Sequence, residues 1–301
     1  MKTFRSAEIR GAIALASIWS AVLSSAACSG GQEPVFVTAR DLGARLDTSE
    51  LTPRESKRLE TILNGEVSPC GDDTSLGLSL FDPAGCPLAP MAGRFVVELI
   101  MEDYNVEEVG AAYMERYAAV KGLGIEIGGA PRRGAEDPTV MIVVFTDFDC
   151  PFCAKAAGKL RDLTLAYPEH VAVAFKHFPL KSHPSSELAS RAAFAAGLQD
   201  GFWQMHDTLF SAQGTGLDRD RIDTMAIGLG LDIEKLTEDI SSPAATAALA
   251  ADRAQGEELG VDGTPTLFVN GRKLPAGIRG LEDRLREEFL RRAILESRGR
   301  D

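Results

Sequence analysis

The chain has 301 residues, of which 45% are apolar and 25% charged, enough for one large buried core or two smaller ones. Its formal net charge of −12 argues against a nucleic-acid partner, which needs clustered lysine and arginine, and fits a protein kept in solution by its acidity. No zinc-finger spacing occurs, and the glycines at 122–124 and 128–129 do not stand between a strand and a helix, so phosphate-loop chemistry is set aside too.

Residues 1–27 read as an export signal of the lipoprotein type. Lys2, Arg5 and Arg10 give a basic start, and Gly11 to Leu23 form a 13-residue apolar stretch too short to span a bilayer comfortably. Ser25-Ala26-Ala27 then supply small residues before a cut. Cys28 follows at once. That order resembles a bacterial lipoprotein signal, whose cysteine becomes the acylated first residue and anchors the chain to a membrane, although Ser25 stands where such signals usually carry leucine. Plain cleavage near Ala27 is the alternative. Either route places the protein in the periplasm or cell envelope, where disulfides persist. No later segment is long and apolar enough to span a membrane.

Residues 28–50 are polar and aperiodic and read as a tether. A helical N-terminal domain is expected over 51–121. Thr52 as N-cap, Pro53 at the first helical position and Glu55 three residues after Thr52 form a start signal, with Leu59, Ile62 and Leu63 on the apolar side. Val67 to Pro90 is a loop rich in Gly, Pro, Asp and Ser that carries Cys70 and Cys86. Arg94 to Met101 reads as a helix. Asn105, with Glu108, opens another whose Val106, Val109, Tyr113 and Tyr117 share a face.

The chain has five cysteines, and setting Cys28 aside leaves the pairs Cys70/Cys86 and Cys150/Cys153. The first pair reads as a structural disulfide whose loop closure would contribute about 3 kcal/mol. A second redox pair or two free thiols is the alternative.

From residue 122 to 301 the pattern is α/β. Gly122 to Gly134, glycine-rich around Ile125-Glu126-Ile127, is a linker leading into a short edge strand. Thr139 to Phe145 is an apolar run, as in a strand buried on both faces. A helix with Cys153, Ala156, Leu160, Leu163 and Tyr167 at helical spacing follows, closed by Pro168, and Val171 to Phe175 is the next strand. Such a βαβ unit predicts parallel strands with a right-handed crossover. Residues 184–260 form a helical insert, with Ser242-Pro243 starting one of its helices. Thr266 to Val269 returns to strand, Asn270-Gly271 is a two-residue hairpin signal, and Arg272 to Leu274 pairs back. Leu281, Leu285, Phe289 and Ala293 mark a final amphipathic helix.

The chemistry-bearing segment is Cys150-Pro-Phe-Cys153, placed where the buried strand meets the helix. Pro151 fits the first helical position, which makes Cys150 the N-cap residue. Its sulfur then faces unpaired backbone N–H groups and the positive end of the helix dipole, both of which favour thiolate. The position is expected to expose the Cys150 sulfur, while Cys153, one turn in, is less accessible. Cys150 is therefore the attacking nucleophile and Cys153 the resolving thiol, acting through a mixed disulfide. A purely structural disulfide disagrees with the expected exposure. A metal site needs more ligands than the scattered His170, His177, His183 and His206 supply. No cofactor is called for.

Four segments occur in order: Phe145-Thr-Asp-Phe-Asp-Cys-Pro-Phe-Cys153, Phe175-Lys-His-Phe-Pro-Leu180, Gly201-Phe-Trp-Gln-Met-His-Asp-Thr-Leu-Phe210 and Gly263-Thr-Pro-Thr-Leu-Phe-Val-Asn-Gly271. Through them residues 125–295 resemble the DsbA-like branch of the thioredoxin superfamily, the extracytoplasmic dithiol oxidoreductases. The resemblance implies a thioredoxin-like fold with an inserted helical domain, here preceded by the small all-helical N-terminal domain. It implies that the Thr264-Pro265 bond is cis, lies beside Cys150 and presents backbone groups to a substrate peptide. It implies as partners exported proteins with cysteine thiols and a membrane redox protein. Many members carry a buried carboxylate six residues before the first cysteine, where this chain has Val144. Asp147 and Asp149 lie nearer, and each is open as a proton acceptor or as a loop or capping residue. His177, read as a solvated residue at a strand end, stays outside the site with His206. So does Trp203, read with Phe202 and Phe210 as core of the insert.

The N-terminal region faintly resembles the thiol-handling domain of cytochrome c maturation proteins. That family's cysteines stand much closer together, so a spacer or dimerisation module is the plainer expectation. Whether the chemistry runs as oxidase, isomerase or reductase is not fixed by the sequence. The alternatives are a redox-inert thioredoxin-fold binding module and a cysteine-based metallochaperone.

Overall fold

A computed structural model describes residues 36–118, 124–214, 216–274 and 280–298. The helical part opens with the short helix α1 (Ala39–Leu42), then α2 (Pro53–Gly65), α3 (Leu76–Ser79), α4 (Ala89–Met101) and α5 (Val106–Tyr113), which runs on into a π-helical turn at Met114–Ala118. At the head of α2 the Glu55 amide donates to the Thr52 hydroxyl at 3.3 Å and the Thr52 amide donates to the Glu55 carboxylate at 2.7 Å, so two orphan donors are satisfied reciprocally. Asn105 and Glu108 do the same for α5. Leu59, Ile62 and Leu63 pack with Val96, Ile100, Val109 and Tyr113 in one apolar cluster. Cys70 and Cys86 are joined in a disulfide buried in the same cluster.

The expected tether at 28–50 is revised over its described part. Val37, Leu42 and Leu46 are buried in the helical core, and the Asn64 side chain pairs with both the amide and the carbonyl of Val37 at 2.8 Å. Three apolar residues so sparsely placed give no period, and their partners lie on later helices. Residues 1–35, with the proposed signal and Cys28, lie outside the described residues.

The α/β part runs β1 (Arg132–Gly134), β2 (Val140–Thr146), α6 (Pro151–Ala166), β3 (Val171–His177), α7 (Ser186–Gly197), α8 (Phe202–Ser211), α9 (Arg219–Gly228), α10 (Ile233–Ile240), α11 (Pro243–Glu258), β4 (Thr266–Val269), β5 (Arg272–Lys273) and α12 (Leu281–Arg298). The sheet order is β1-β3-β2-β4-β5. Strands β2 and β3 are parallel, and the other neighbours are antiparallel. The edge strand forms at Arg132–Gly134, downstream of Ile125 and Ile127, which pack half-buried beneath Val143, Phe145 and Phe268. Gly134 is required there: its φ is +105°, and a Cβ would stand 2.3 Å from the Val171 carbonyl oxygen.

Strand β2 lies at the centre of the sheet and is apolar along its length because both faces are covered. Helices α7 to α11 fill the interval between β3 and β4, giving the thioredoxin-like core with a helical insert that the resemblance implies. At the hairpin, Asn270 and Gly271 both take positive φ, 47° and 76°, as a two-residue turn of this hand demands. The Asn270 side chain accepts from the Met141 amide at 2.9 Å and donates to the Thr139 carbonyl at 3.2 Å, fastening the turn to the start of β2.

Helix α12 departs from a simple apolar stripe. Leu281 and Leu285 are buried, Phe289 is partly so and Ala293 is exposed, while Arg284 and Glu287 are almost fully buried between them at 1% and 0% exposure. Glu287 accepts from Arg116 Nη2 and from the Tyr117 hydroxyl, each at 2.6 Å, and pairs with Arg284 at 3.2 Å. Glu288 pairs with Arg272 at 3.0 Å. These charges are tolerable in the interior because each has an opposite partner and hydrogen bonds. The seam they form joins α12 to the end of the N-terminal helices.

Candidate active site

Cys150 is the N-cap of α6, with extended backbone angles, and Pro151 takes the first helical position. Proline loses nothing there, since that N–H has no helical partner anyway. The Cys153 amide donates to the Cys150 carbonyl at 2.9 Å, which places the second cysteine one turn into the helix. The Thr264-Pro265 peptide is cis, and the Cys150 sulfur lies 3.3 Å from the Thr264 carbonyl oxygen. The pairing of Thr266 with Phe145 delivers this segment, because β4 runs alongside β2 and β2 leads directly into the motif. Cys150, Cys153, Thr264 and Pro265 are thus brought together from two neighbouring strands.

The sulfur is less exposed than the sequence suggested. Cys150 is 4% exposed and Cys153 0%, while Phe152 between them is 65% exposed. An N-cap alone would leave the sulfur open; the Thr264-Pro265 segment packed against it takes up that space.

The two thiols are driven in opposite directions. The hydrogen bond from the Cys153 side chain brings the Cys150 thiol down to about 5, helped by the amide of Cys153, the Thr264 side chain and the amide of Phe152, while burial opposes. Burial pushes the Cys153 thiol up, and its role as donor to the Cys150 sulfur adds to this; the Thr146 hydroxyl and the Asp147 amide act the other way. One sulfur is a thiolate at neutral pH and its neighbour keeps its proton.

Asp147 and Asp149 are both engaged in holding the loop. Asp147 is fully buried and accepts from the Asp149 amide at 2.7 Å, the Leu180 amide at 2.7 Å and His183 Nδ1 at 2.9 Å. Asp149 accepts from the amide and hydroxyl of Ser185 at 2.9 Å. Their carboxylates tie the cysteine loop to the segment after β3, the capping alternative of the two left open.

His177 is buried rather than solvated, and burial pushes its imidazole down to about 3, so it is neutral. Trp203 donates its ring N–H to the Arg132 carbonyl at 2.7 Å, with the Arg133 guanidinium 4.3 Å from its ring centre. His206, set aside in the sequence, lines the same small cavity as Cys153. Only the His206-Asp207 dipeptide hinted at it. Among the described residues no three His, Cys, Asp or Glu side chains gather as a metal-ligating group.

The DSBA-like thioredoxin domain family matches residues 141–294. Oxidised BdbD from Bacillus subtilis superposes with a TM-score of 0.50 at 22% identity, covering 56% of this chain and 97% of that one, a likeness of fold. A thioredoxin-like oxidoreductase from Silicibacter pomeroyi DSS-3 is 30% identical with a TM-score of 0.46, covering 52% of this chain and 92% of that one. The Na(+)/H(+) antiporter NhaA of Herminiimonas arsenicoxydans is 37% identical over 142 residues, which are 47% of this chain and 22% of the antiporter. The match therefore spans less than a quarter of that relative. Among the described residues, no helix is long and apolar enough to cross a membrane.

Proposed function

We propose that this chain, which belongs to the DSBA-like thioredoxin family, exchanges disulfides with the thiols of exported proteins through Cys150 and Cys153. The observation that carries the reading is a Cys-Pro-Phe-Cys pair opening a helix, with the first sulfur 3.3 Å from the carbonyl of Thr264 beside the cis Thr264-Pro265 bond, a setting that pushes the two thiols in opposite directions. The Cys150 thiolate attacks one sulfur of a substrate disulfide, and the other substrate sulfur leaves with the bonding electron pair and takes a proton. The Cys153 sulfur then attacks Cys150, a new S–S bond forms within the protein, and the second substrate sulfur departs as thiolate. Run backwards, the same steps donate a disulfide to a substrate dithiol. The electrons travel with sulfur, so the exchange calls for no bound cofactor.

In this reading Thr264 and Pro265 present the backbone along which the substrate peptide lies, with the exposed Phe152 as an apolar rim beside it. Cys70 and Cys86 serve as a structural staple of the N-terminal helical domain, which acts as a spacer. Residues 1–27 direct export to the periplasm or cell envelope, Cys28 carries a lipid anchor, and a membrane redox protein resets the pair.

The test is turnover of insulin reduction and of refolding of a reduced, scrambled substrate. The wild-type chain should be active in at least one assay and Cys150→Ser in neither, whereas a redox-inert binding module would leave both at background. The reduction potential of the pair then assigns the direction, and the mass of the mature N-terminus tests acylation of Cys28.

A further inference from the structure

Cys153 must lose a proton before its sulfur can attack Cys150, yet burial holds that proton in place. The position six residues before the first cysteine is the apolar, buried Val144, and the nearby carboxylates of Asp147 and Asp149 are taken up by loop donors. What Cys153 does face is a cavity of about 20 Å³ that is also lined by Thr146, His206, Arg133 and Phe210. That is room for one water, which needs roughly 10–15 Å³.

We propose, resting on the reading of Cys150 and Cys153 as the redox pair, that His206 accepts the Cys153 proton through one water in this cavity. Asp207 and Arg133 hold its imidazole for the purpose. His206 Nδ1 lies 2.7 Å from Asp207 Oδ1, which leaves Nε2 as the nitrogen able to accept. The other Asp207 oxygen accepts from Arg133 Nη2 at 2.8 Å. The ring itself is wedged among Phe148, Trp203 and Phe210, with centroids 5.9, 4.9 and 4.9 Å away, so it has little freedom to turn.

Burial keeps the resting imidazole neutral, and therefore able to take a proton. Burial also works against the Asp207 carboxylate, but the hydrogen bonds from His206 and Arg133 carry it down to about 2, so a negative charge is in place when the imidazolium forms. The remaining charged or titratable groups around the path are Arg133 on β1, Arg161 on α6 and His177 on β3, besides Cys150 itself. The two arginines limit the lifetime of the imidazolium, which suits a relay rather than a sink.

In the closing step the Cys153 S–H bond breaks, its proton passes to the water, and a water proton passes to Nε2. The sulfur electron pair forms the bond to Cys150, the bond from Cys150 to the substrate sulfur breaks, and the substrate leaves with that pair. The protein pair is oxidised by two electrons and the substrate disulfide is reduced by two. The imidazolium returns its proton to solvent. In the opening direction the same path reprotonates Cys153 as it leaves.

The experiment is stopped-flow reaction of the reduced full chain, in a Cys28→Ser background, with excess dithiobis-nitrobenzoate. The first thionitrobenzoate released reports attack by Cys150, and the second reports closure by Cys153. His206→Phe and His206→Gln should leave the first phase within about twofold. They should slow the second by roughly tenfold or more near neutral pH, the low end of general-base contributions. In both variants the closing rate should climb about tenfold per pH unit as Cys153 ionises unaided, while the parent stays flatter. Asp207→Asn, on a half-exposed side chain, should shift the profile in the same direction and keeps the test decisive should the His206 variants not fold. Folded variants with the parental second phase and pH profile overturn the relay. A slow first phase in the parent overturns the underlying reading of Cys150 instead, and the relay with it.

Discussion

The Cys150 sulfur lies 3.3 Å from the carbonyl oxygen of Thr264, across 114 positions of sequence. A carbonyl favours the protonated sulfur. The hydroxyl of the same residue is buried, has no other group to bond, and favours the ionised one. Thr264→Val keeps the shape and removes that donor, so thiolate formation at Cys150 should weaken by about tenfold, the scale of one hydrogen bond to a charged group. Thiolate absorbance followed against pH measures this, and an unmoved midpoint would place the hydroxyl outside the set that tunes the sulfur.

Stability of the reduced protein should depend on pH through the same sulfur. The folded thiol titrates at about 5 against an ordinary 9.0, a depressed value. The stabilisation from ionised Cys150 is therefore complete above the unfolded value and lost as pH falls through the folded one. Between about pH 5 and pH 9 the reduced form should gain on the disulfide form, which has no such group to titrate. Paired melting curves of the two forms across that window supply the check; a constant gap between them would contradict it.

Glu287 holds together a buried seam in which Arg284 is 1% exposed. Glu287→Ala leaves Arg116, Tyr117 and Arg284 without their shared acceptor and should destabilise the protein by about 3–5 kcal/mol, the usual effect of stranding a buried charge. Denaturant unfolding measures it. A change below about 1 kcal/mol would mean that water enters the seam freely.

The disulfide between Cys70 and Cys86 spans 16 positions. Replacing both by alanine should lower stability by about 3 kcal/mol through the longer-lived freedom of the unfolded loop. The rate of Cys150 attack should stay unchanged. Loss of that rate in a folded variant would instead argue for electron transfer between the two pairs.

Much of the site could be read from local sequence because its determinants are local. Proline after Cys150 announces the N-cap, the apolar run before it announces the central strand, and Asn270-Gly271 announces the hairpin that closes β4, the strand headed by the Thr264 segment. What escaped was made by distant partners. The burial of Cys150 depends on a segment from beyond the helical insert. His206 gains meaning only from Arg133, 74 positions from Asp207, and from a cavity that no residue pattern records. Residues 36–50 lacked a period because Val37, Leu42 and Leu46 answer to helices further along the chain. In α12 the apolar spacing marked one face only, and Glu287 and Glu288 are drawn inside by Arg116 and Arg272, which lie outside the helix.

Asn270 clasps the beginning of β2 at the opposite end of the sheet from the cysteines. Because strand side chains alternate, a one-residue slip of β4 along β2 would turn Thr266 to the wrong face and withdraw Thr264 from the sulfur. Reactivity is thus calibrated remotely, as a vernier is set by a mark far from the quantity it reads. Changes at Asn270 should be felt as altered acidity of a thiol before they are felt as loss of fold.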